Sequence, residues 1–359
     1  MAGKLLRDVL EPRSNSLNAV RLLFATAVIV SHAWAVGEFG VEPSAGGTTA
    51  GVWAVLGFFG ISGFLITRSR LSGQTSFRYY RARFLRIFPG FIVCIAVVGF
   101  VFAPLSILLD HEGSWSFGSA LQYVASNAAL YPPHFSQKGV AGTLEHVAYP
   151  IMWNGSLWTL FWEAACYMAV GVAASILPRK ALPPAALVLF VACTALRLLC
   201  DADAISVPMQ ATRVLSLIIA FTAGATLFLY QDHIRVSFLA VAGALAVLAI
   251  SIPLGMVQSL GSLPFVYLVM VAGCLLPLTR IGSKYDISYG MYIYAWPVQQ
   301  FVMLTLGASA SLPMVIVLSV LCTVPLAFLS FVLVERPAQA WGKGLTEKPA
   351  RPTPEPSIL

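Results

Sequence analysis

Apolar residues occur along this chain in long stretches, and short polar segments that carry most of the charges separate them. A helix needs about 20 apolar residues to cross the hydrocarbon core of a bilayer. By this measure the pattern predicts ten membrane-spanning helices, with boundaries accurate to a few residues. The predicted spans cover residues 17–36, 49–67, 87–104, 156–177, 184–200, 211–230, 237–253, 263–279, 287–306 and 312–334.

The polar segments define the domain organisation that we predict. Residues 1–16 precede the first span, and 17–337 form one transmembrane domain. The polar, Pro-rich residues 338–359 are expected to be a flexible tail. The longest connection, 105–155, is rich in aromatic residues, so we expect it to be folded rather than disordered. Its aromatic, histidine and asparagine side chains include His111, Trp115, Asn127, Tyr131, His134 and His146.

Composition supports the membrane interpretation. Of the 359 residues, 58% are hydrophobic and 10% are charged, whereas roughly 25% are charged in a typical soluble domain. A water-soluble fold could not cover so much apolar side chain with so few charges. No small-residue cleavage site follows the first span, so we expect that span to be retained. The predicted fold class is an all-α integral membrane protein.

The distribution of basic residues predicts how the helices are oriented. With ten spans and a cytoplasmic N-terminus, all but four of the 22 lysines and arginines fall in cytoplasmic segments. This excess is the positive-inside asymmetry of multi-span proteins, and it places both termini in the cytoplasm. The exceptions are Arg21, Lys138, Arg197 and Arg213. The net charge of +7 follows from this topology, so no nucleic-acid partner is inferred.

Three conspicuous ionisable residues fall inside predicted spans, in addition to Arg197 and Arg213 near the outer helix ends. Each costs at least ~2.5 kcal/mol at bilayer depth, which makes Arg21, His32 and Glu163 functional candidates. Arg21 and His32 are eleven residues apart, almost three full turns, so they share one helix face about 16 Å apart. Arg21 would lie near the cytoplasmic end and His32 near the outer end. The structural alternative is a snorkelling arginine and a histidine bonded to a carbonyl.

Glu163 lies on the fourth predicted span at a depth comparable to that of His32. A carboxylate beside an imidazole raises its basicity and orients it, as general-base catalysis requires. The alternative is a buried glutamate paired with an arginine or with Tyr167, one turn further along the helix.

The connection 68–86 carries six arginines. Arg83 and Arg86 are three residues apart and therefore adjacent on a helix. A positive cluster at the cytoplasmic end could bind a polyanion such as the phosphates of a nucleotide. Alternatively, the arginines only keep this loop inside the cell. The six cysteines fall in apolar segments without a CxxC pair, so we predict packing and no metal site.

Six short motifs, taken in order, resemble those of the acyltransferase-3 family of bacterial multi-span membrane proteins. The resemblance extends from about residue 17 to 337. The motifs are Arg21-x10-His32; FFGISGFLI at 58–66; Arg83-x2-Arg86 with Pro89; Leu157-Trp158 with Glu163 and Tyr167; Ile287-Ser288-Tyr289 with Trp296-Pro297; and Glu335-Arg336-Pro337. Two departures from the family pattern are Ala295 in place of a histidine, and the bulky pair Phe161 and Trp162.

The resemblance implies a membrane O-acyltransferase in the bacterial cytoplasmic membrane. An acyl group, commonly acetyl, would pass from cytoplasmic acyl-CoA to a hydroxyl of an exported glycan such as an exopolysaccharide or O-antigen. It implies three partners, namely acyl-CoA, a glycan or lipid-linked glycan, and membrane lipid, and no permanently bound cofactor. The implied catalytic residues are His32, Glu163 and Arg21; Arg83 and Arg86 would bind acyl-CoA, and Ser62, Trp158 and Tyr167 would contact substrate.

Two other classes of function are possible for the same residues. A proton- or ion-coupled transporter could use Arg21, His32 and Glu163 as a relay. Transporters often show repeated halves and broken helices, which this sequence lacks, and a relay does not explain Arg83 and Arg86. A non-catalytic scaffold would leave the buried charges unexplained.

Overall fold

A computed structural model describes residues 3–11, 14–110, 113–130 and 139–344. The fold is almost entirely helical, which confirms the predicted all-α class. The twelve principal helices are α1 (Leu17–Gly37), α2 (Ala50–Leu71), α3 (Ser76–Val97), α4 (Phe117–Asn127), α5 (Trp158–Ile176), α6 (Leu182–Asp201), α7 (Met209–Leu229), α8 (Phe238–Ser251), α9 (Ser262–Leu275), α10 (Ser288–Leu306), α11 (Leu312–Ser330) and α12 (Arg336–Gly344).

Short elements complete the fold. Two antiparallel pairs of two-residue strands join Lys4–Leu5 to Arg235–Val236, and Ser44–Ala45 to Thr48–Thr49. The shortest helical turns are Leu6–Val9, Ala103–Ser106, Arg179–Ala181 and Gly307–Ser309. A π-helical turn, Val98–Phe102, extends α3 into the turn before the long connection, and a second, Phe331–Glu335, joins α11 to α12.

Each of the ten predicted spans coincides with a helix, and seven of the described helical segments are long and apolar enough to cross a membrane. These seven contain α1, α2, α3, α5, α6, α7 and α11. They establish a multi-pass membrane protein. The count of ten spans and the cytoplasmic placement of both termini stay predictions.

The helices of the other three predicted spans do not meet this criterion of length and apolar character, for two physical reasons. Helices α8 and α9 are apolar but have only 14 residues each. Helix α10 has 19 residues and is buried along almost its whole length. Since its neighbours rather than lipid surround it, α10 can carry the polar pair Gln299 and Gln300 in its centre.

Contacts between connections show that the bundle has two distinct ends. Ser16 donates to the carbonyl of Leu276, at the end of the bundle near Arg21. Gln258 donates to Thr48 at the opposite end, which lies nearer His32. We call these the Arg21 end and the His32 end.

Small residues allow α2 and α7 to cross in close contact. A Cβ atom on Gly63 would overlap the carbonyl oxygen of Phe221, and one on Gly224 would overlap that of Gly60. Glycine at these positions lets the two backbones meet without side chains between them. The close crossing therefore depends on Gly60 and Gly63 of α2 and on Gly224 of α7.

The long connection is folded where the structure describes it. It contains α4, and Trp153 is buried with its Nε1 donating to Thr143 at 2.8 Å. Trp115 donates to the carbonyl of Gly99 in the π-helical turn that follows α3. His111, Tyr131 and His134 lie outside the described residues. Near the C-terminus, α12 extends to Gly344 and so covers the first part of the predicted tail. Residues 345–359 lie outside the described residues.

Candidate active site

A polar cavity of about 320 Å³ opens among α1, α2, α3, α5, α10 and α12. It brings together side chains that are separated by more than three hundred residues of sequence. Six of the eight predicted site residues line it: Arg21, Ser62, Arg83, Arg86, Glu163 and Tyr167.

Two of the three arginines in this cavity share one carboxylate. Arg21 donates to Asp286 Oδ2 at 2.6 Å, and Arg86 donates to the same oxygen at 2.9 Å. The other oxygen, Oδ1, accepts from the hydroxyl of Ser288 at 2.6 Å. Burial opposes ionisation of Asp286, but the two guanidinium groups hold the pKa of this carboxyl below its usual range. Arg21 and Arg86 thereby tie α1 and α3 to the start of α10.

Arg83 differs from Arg86, one turn further along α3. Its Nε–H is buried and has no hydrogen-bond partner among the described residues, and its side chain lines the cavity. No described carboxylate forms an ion pair with it. Arg83 is thus the arginine whose charge and donor remain open to a bound anion.

Glu163 is engaged by two hydroxyl groups within the cavity. Its Oε1 accepts from Ser62 at 3.0 Å and from the phenol of Tyr167. Tyr79 donates in turn to the carbonyl of Tyr167 at 2.8 Å and fixes this turn of α5 against α3. Glu163 therefore pairs with Tyr167, one of the alternatives that the sequence allows for this residue.

His32 does not line the cavity. It lies on α1, about three turns from Arg21, toward the opposite end of the bundle. Its Nδ1 is 3.5 Å from the hydroxyl of Ser156, and its ring meets that of Trp296 edge-on at 4.8 Å. The described contacts of His32 do not include Glu163. The predicted pair of imidazole and carboxylate is therefore not in direct contact, because Glu163 faces Ser62 and Tyr167 instead.

A hydrogen-bonded wall separates the cavity from His32. The hydroxyls of Thr159 and Tyr292 line the cavity and are 2.6 Å apart. Tyr292 also donates to the carbonyl of Ser156 at 3.0 Å. The side chain of Ser156 faces His32, so Ser156 lies between the Thr159–Tyr292 pair and the imidazole.

The connection before α5 covers the His32 side of the site. Trp296 and Gln300 on α10 both donate to the carbonyl of Met152, at 3.1 and 2.9 Å. Asn154 donates back to the carbonyl of Ile293 at 2.7 Å. These bonds fix the connection beside the imidazole.

Trp158 does not line the cavity. It is partly buried at the first turn of α5 and packs against the hydrophobic core. Two polar cavity residues, Asp286 and Gln339, were not predicted from the sequence, whereas Tyr292 belongs to the motif that begins at Ile287. The sequence contains a signal for Asp286, because this acidic residue is predicted to lie at the same membrane depth as Arg21 and Arg86. Gln339 carried none, because it falls in the predicted flexible tail.

A second cavity, of about 540 Å³, lies among α2, α5, α6 and α7 and is almost wholly apolar. Alanines from three helices line much of it, together with Cys166 and Cys193. It contains no carboxylate, histidine or basic side chain. The acid, base and anion-binding groups that a transfer reaction needs are in the first cavity and beside it.

Apolar helices around a cavity with three arginines and a partly buried glutamate define a multi-pass membrane protein with a polar site inside the bundle. The acyltransferase-3 family model, described as an acyltransferase domain, matches residues 14–332. The chain therefore belongs to the acyltransferase-3 family and is a membrane-bound acyltransferase. This confirms the resemblance seen in the sequence and favours an enzyme over a transporter or a scaffold.

Two curated relatives cover nearly the whole chain. An O-acetyl transferase of Shigella phage Sf6 is 29% identical over 331 residues, which span 90% of this chain and 96% of that protein. Nodulation protein 10 of Rhizobium leguminosarum bv. viciae is 26% identical over 370 residues, spanning 90% and 93%. No solved structure matches the chain significantly.

Proposed function

We propose that this acyltransferase moves an acetyl group from acyl-CoA to a hydroxyl of a glycan on the outer side of the bacterial cytoplasmic membrane. The donor would enter the polar cavity at the Arg21 end, and the acceptor would reach the His32 end. The observation that carries the proposal is the position of His32, which Ser156 links to the lining of a cavity that contains an arginine without a described ion-pair partner. The relative named as an O-acetyl transferase supports acetyl as the group transferred.

The donor side of this proposal rests on charge. Acyl-CoA is present in the cytoplasm, and the positive-inside distribution predicts that the Arg21 end faces it. Arg83 would bind a phosphate of the nucleotide part, since its Nε–H and its charge are not used within the described protein. Arg86 and Arg21 would add positive potential while Asp286 holds them in position.

The acceptor side rests on the imidazole. His32 would take the proton of the acceptor hydroxyl, and the oxygen would attack the thioester carbonyl. The C–S bond then breaks, and the thiolate of CoA leaves and is protonated. In a covalent variant, the imidazole attacks the thioester, the C–S bond breaks and CoA leaves, and the glycan hydroxyl then takes the acyl group from the imidazole. Both routes need His32. Glu163 would orient Ser62 and Tyr167 beside the path that the acyl group takes from the cavity to His32.

The proposal is tested with purified protein in liposomes, radiolabelled acetyl-CoA and a glycan acceptor from the host cell. We expect transfer by the wild type and a loss of at least about a hundredfold in His32→Ala, the scale of general-base catalysis. His233→Ala is the matched control, because His233 is exposed in the turn after α7. Its transfer rate should equal that of the wild type.

Mass spectrometry of surface glycans, with and without the gene, identifies the acceptor. A loss of one acetyl group per repeating unit in cells without the gene supports the proposal. Unchanged glycans, together with no binding of acetyl-CoA or CoA by the purified protein, would overturn it.

A further inference from the structure

The last described helix, α12, packs beneath the polar cavity instead of extending away from the bundle. Arg81 on α3 donates to the carbonyl of Gly342 at 2.6 Å, and Gly342 lies against the side chain of Leu85. These contacts bring one side chain of α12, Gln339, into the lining of the cavity. The helix therefore forms part of the wall at the Arg21 end.

Gln339 carries a buried donor without an acceptor. Its Nε2 has no hydrogen-bond partner among the described residues, and the same is true of Nε of Arg83 in the same cavity. Leaving a buried donor unpaired costs about 1–3 kcal/mol. Two such donors in one cavity indicate that their acceptor comes from a ligand.

The carboxylates of the cavity do not supply that acceptor. Both oxygens of Asp286 are engaged, one by Arg21 and Arg86 and the other by Ser288. Glu163 faces two hydroxyl groups through Oε1.

Glu335 is the protein group that competes with a ligand for Gln339. It lies one helical turn before Gln339, and its buried Oε2 has no partner among the described residues. A variant of Glu335 therefore distinguishes this carboxylate from a ligand as the acceptor.

We propose that Gln339 on α12 and Arg83 on α3 together bind one phosphate group of the acyl-CoA donor. A phosphate has enough acceptor oxygens for an amide N–H and a guanidinium N–H at once, and its charge is matched by Arg83. The pantetheine arm has no comparable anionic group. This inference rests on the proposed function, and it makes the helix after the last span a wall of the donor site.

Binding measurements with two ligands test the assignment. CoA carries the phosphates, whereas acetyl-pantetheine has the thioester and the arm without them. For Gln339→Met we expect CoA to bind about tenfold more weakly and acetyl-pantetheine to bind unchanged. Gln339→Glu should weaken CoA binding further, because its charge repels phosphate. Gln122→Met is the matched control, since Gln122 is exposed on α4.

A double-mutant cycle shows whether the two residues hold the same group. Arg83→Met combined with Gln339→Met should weaken CoA binding by less than the product of the single effects. If the double variant loses CoA affinity by the full product of the two single effects, the residues act independently and do not share one phosphate.

Three further results separate the alternatives. Equal CoA affinity in Gln339→Met and the wild type would overturn the assignment. If Gln339→Met and Glu335→Gln both lower thermal stability and neither changes CoA affinity, Gln339 pairs with Glu335 and the assignment is wrong. A wild type that binds no CoA would contradict the proposed function itself, which makes the two failures distinguishable.

Discussion

Arg83 and Arg86 lie three residues apart in one motif, but the structure gives them different surroundings. Arg86 shares Asp286 with Arg21, whereas Arg83 has a buried Nε–H without a partner in the described chain. The sequence predicts both as phosphate ligands because it shows their spacing and not their partners. The decisive residue is Asp286, two hundred positions further along the chain.

Asp286 should matter more for stability than for chemistry. Asp286→Asn leaves the charges of Arg21 and Arg86 without a counter-ion, so we expect the free energy of unfolding to fall by about 2–3 kcal/mol. The estimate is below that for fully buried pairs because these side chains are partly exposed. Adding Arg86→Met should restore part of the loss. Thermal unfolding in detergent measures both, and a double variant less stable than Asp286→Asn alone would contradict the shared pairing.

The ion pairs of Asp286 should also be insensitive to pH in the ordinary range. The pKa of Asp286 is lower in the folded protein than in the unfolded chain, so its ionised form stabilises the fold. That contribution is complete above the ordinary aspartate value of about 4 and is lost only as the pH falls below it.

Glu42, in the connection between α1 and α2, should show the opposite pH dependence. Burial raises its pKa, an effect that polar groups of Ser31 and Thr49 only partly offset, and Oε1 has no described partner. Folded Glu42 therefore binds a proton more readily than unfolded Glu42, so its contribution to stability declines as the pH rises above about 4.3.

Replacing this carboxyl should remove that decline. We expect Glu42→Gln to raise the unfolding temperature at pH 7 and to flatten its dependence on pH. Glu38→Gln, at an exposed position in the same connection, should leave the pH profile of the wild type unchanged. A Glu42→Gln profile parallel to that of the wild type would show that another group titrates.

At the scale of elements, the crossing of α2 and α7 depends on glycine. In Gly63→Ala the added Cβ would overlap the carbonyl oxygen of Phe221, and neither backbone can move without separating the helices. We expect a loss of about 2 kcal/mol in the free energy of unfolding, the usual scale of overpacking. Since Ser62 on the same helix contacts Glu163, transfer activity should fall as well.

Gly243→Ala provides the control for this substitution. Gly243 is exposed in the middle of α8, and no atom lies within reach of an added Cβ. Alanine is the better helix former by about 1 kcal/mol, so this variant should be neutral or slightly more stable. Equal effects at Gly63 and Gly243 would show that helix propensity, and not the crossing, governs the change.

For the whole molecule, the distribution of arginines predicts which end faces the cytoplasm. In a cysteine-free background, Ala204→Cys lies in the connection at the His32 end and Ser283→Cys in one at the Arg21 end, both exposed. A membrane-impermeant maleimide should label Ala204→Cys in intact cells and Ser283→Cys only after permeabilisation. The reverse pattern would place His32 inside the cell and contradict transfer to an outer acceptor.

The class of this protein follows from its sequence alone. Long apolar stretches predict helices locally, because every backbone group must be hydrogen-bonded within the bilayer. All ten predicted spans are helical, the family resemblance is confirmed, and six of the eight predicted site residues meet in one cavity. Charged residues in apolar stretches were informative because burying a charge is costly, so each one marks a site.

Which of these groups pair with one another follows from the tertiary structure and cannot be read from the sequence. Glu163 faces Ser62 and Tyr167 instead of His32, and the N–H of Gln339 reaches the cavity from a helix after the last span. Such pairings depend on how helices far apart in sequence rotate and cross, and periodicity along one helix does not specify its neighbour. The sequence therefore indicated where charge is buried, and helix packing assigned its partners.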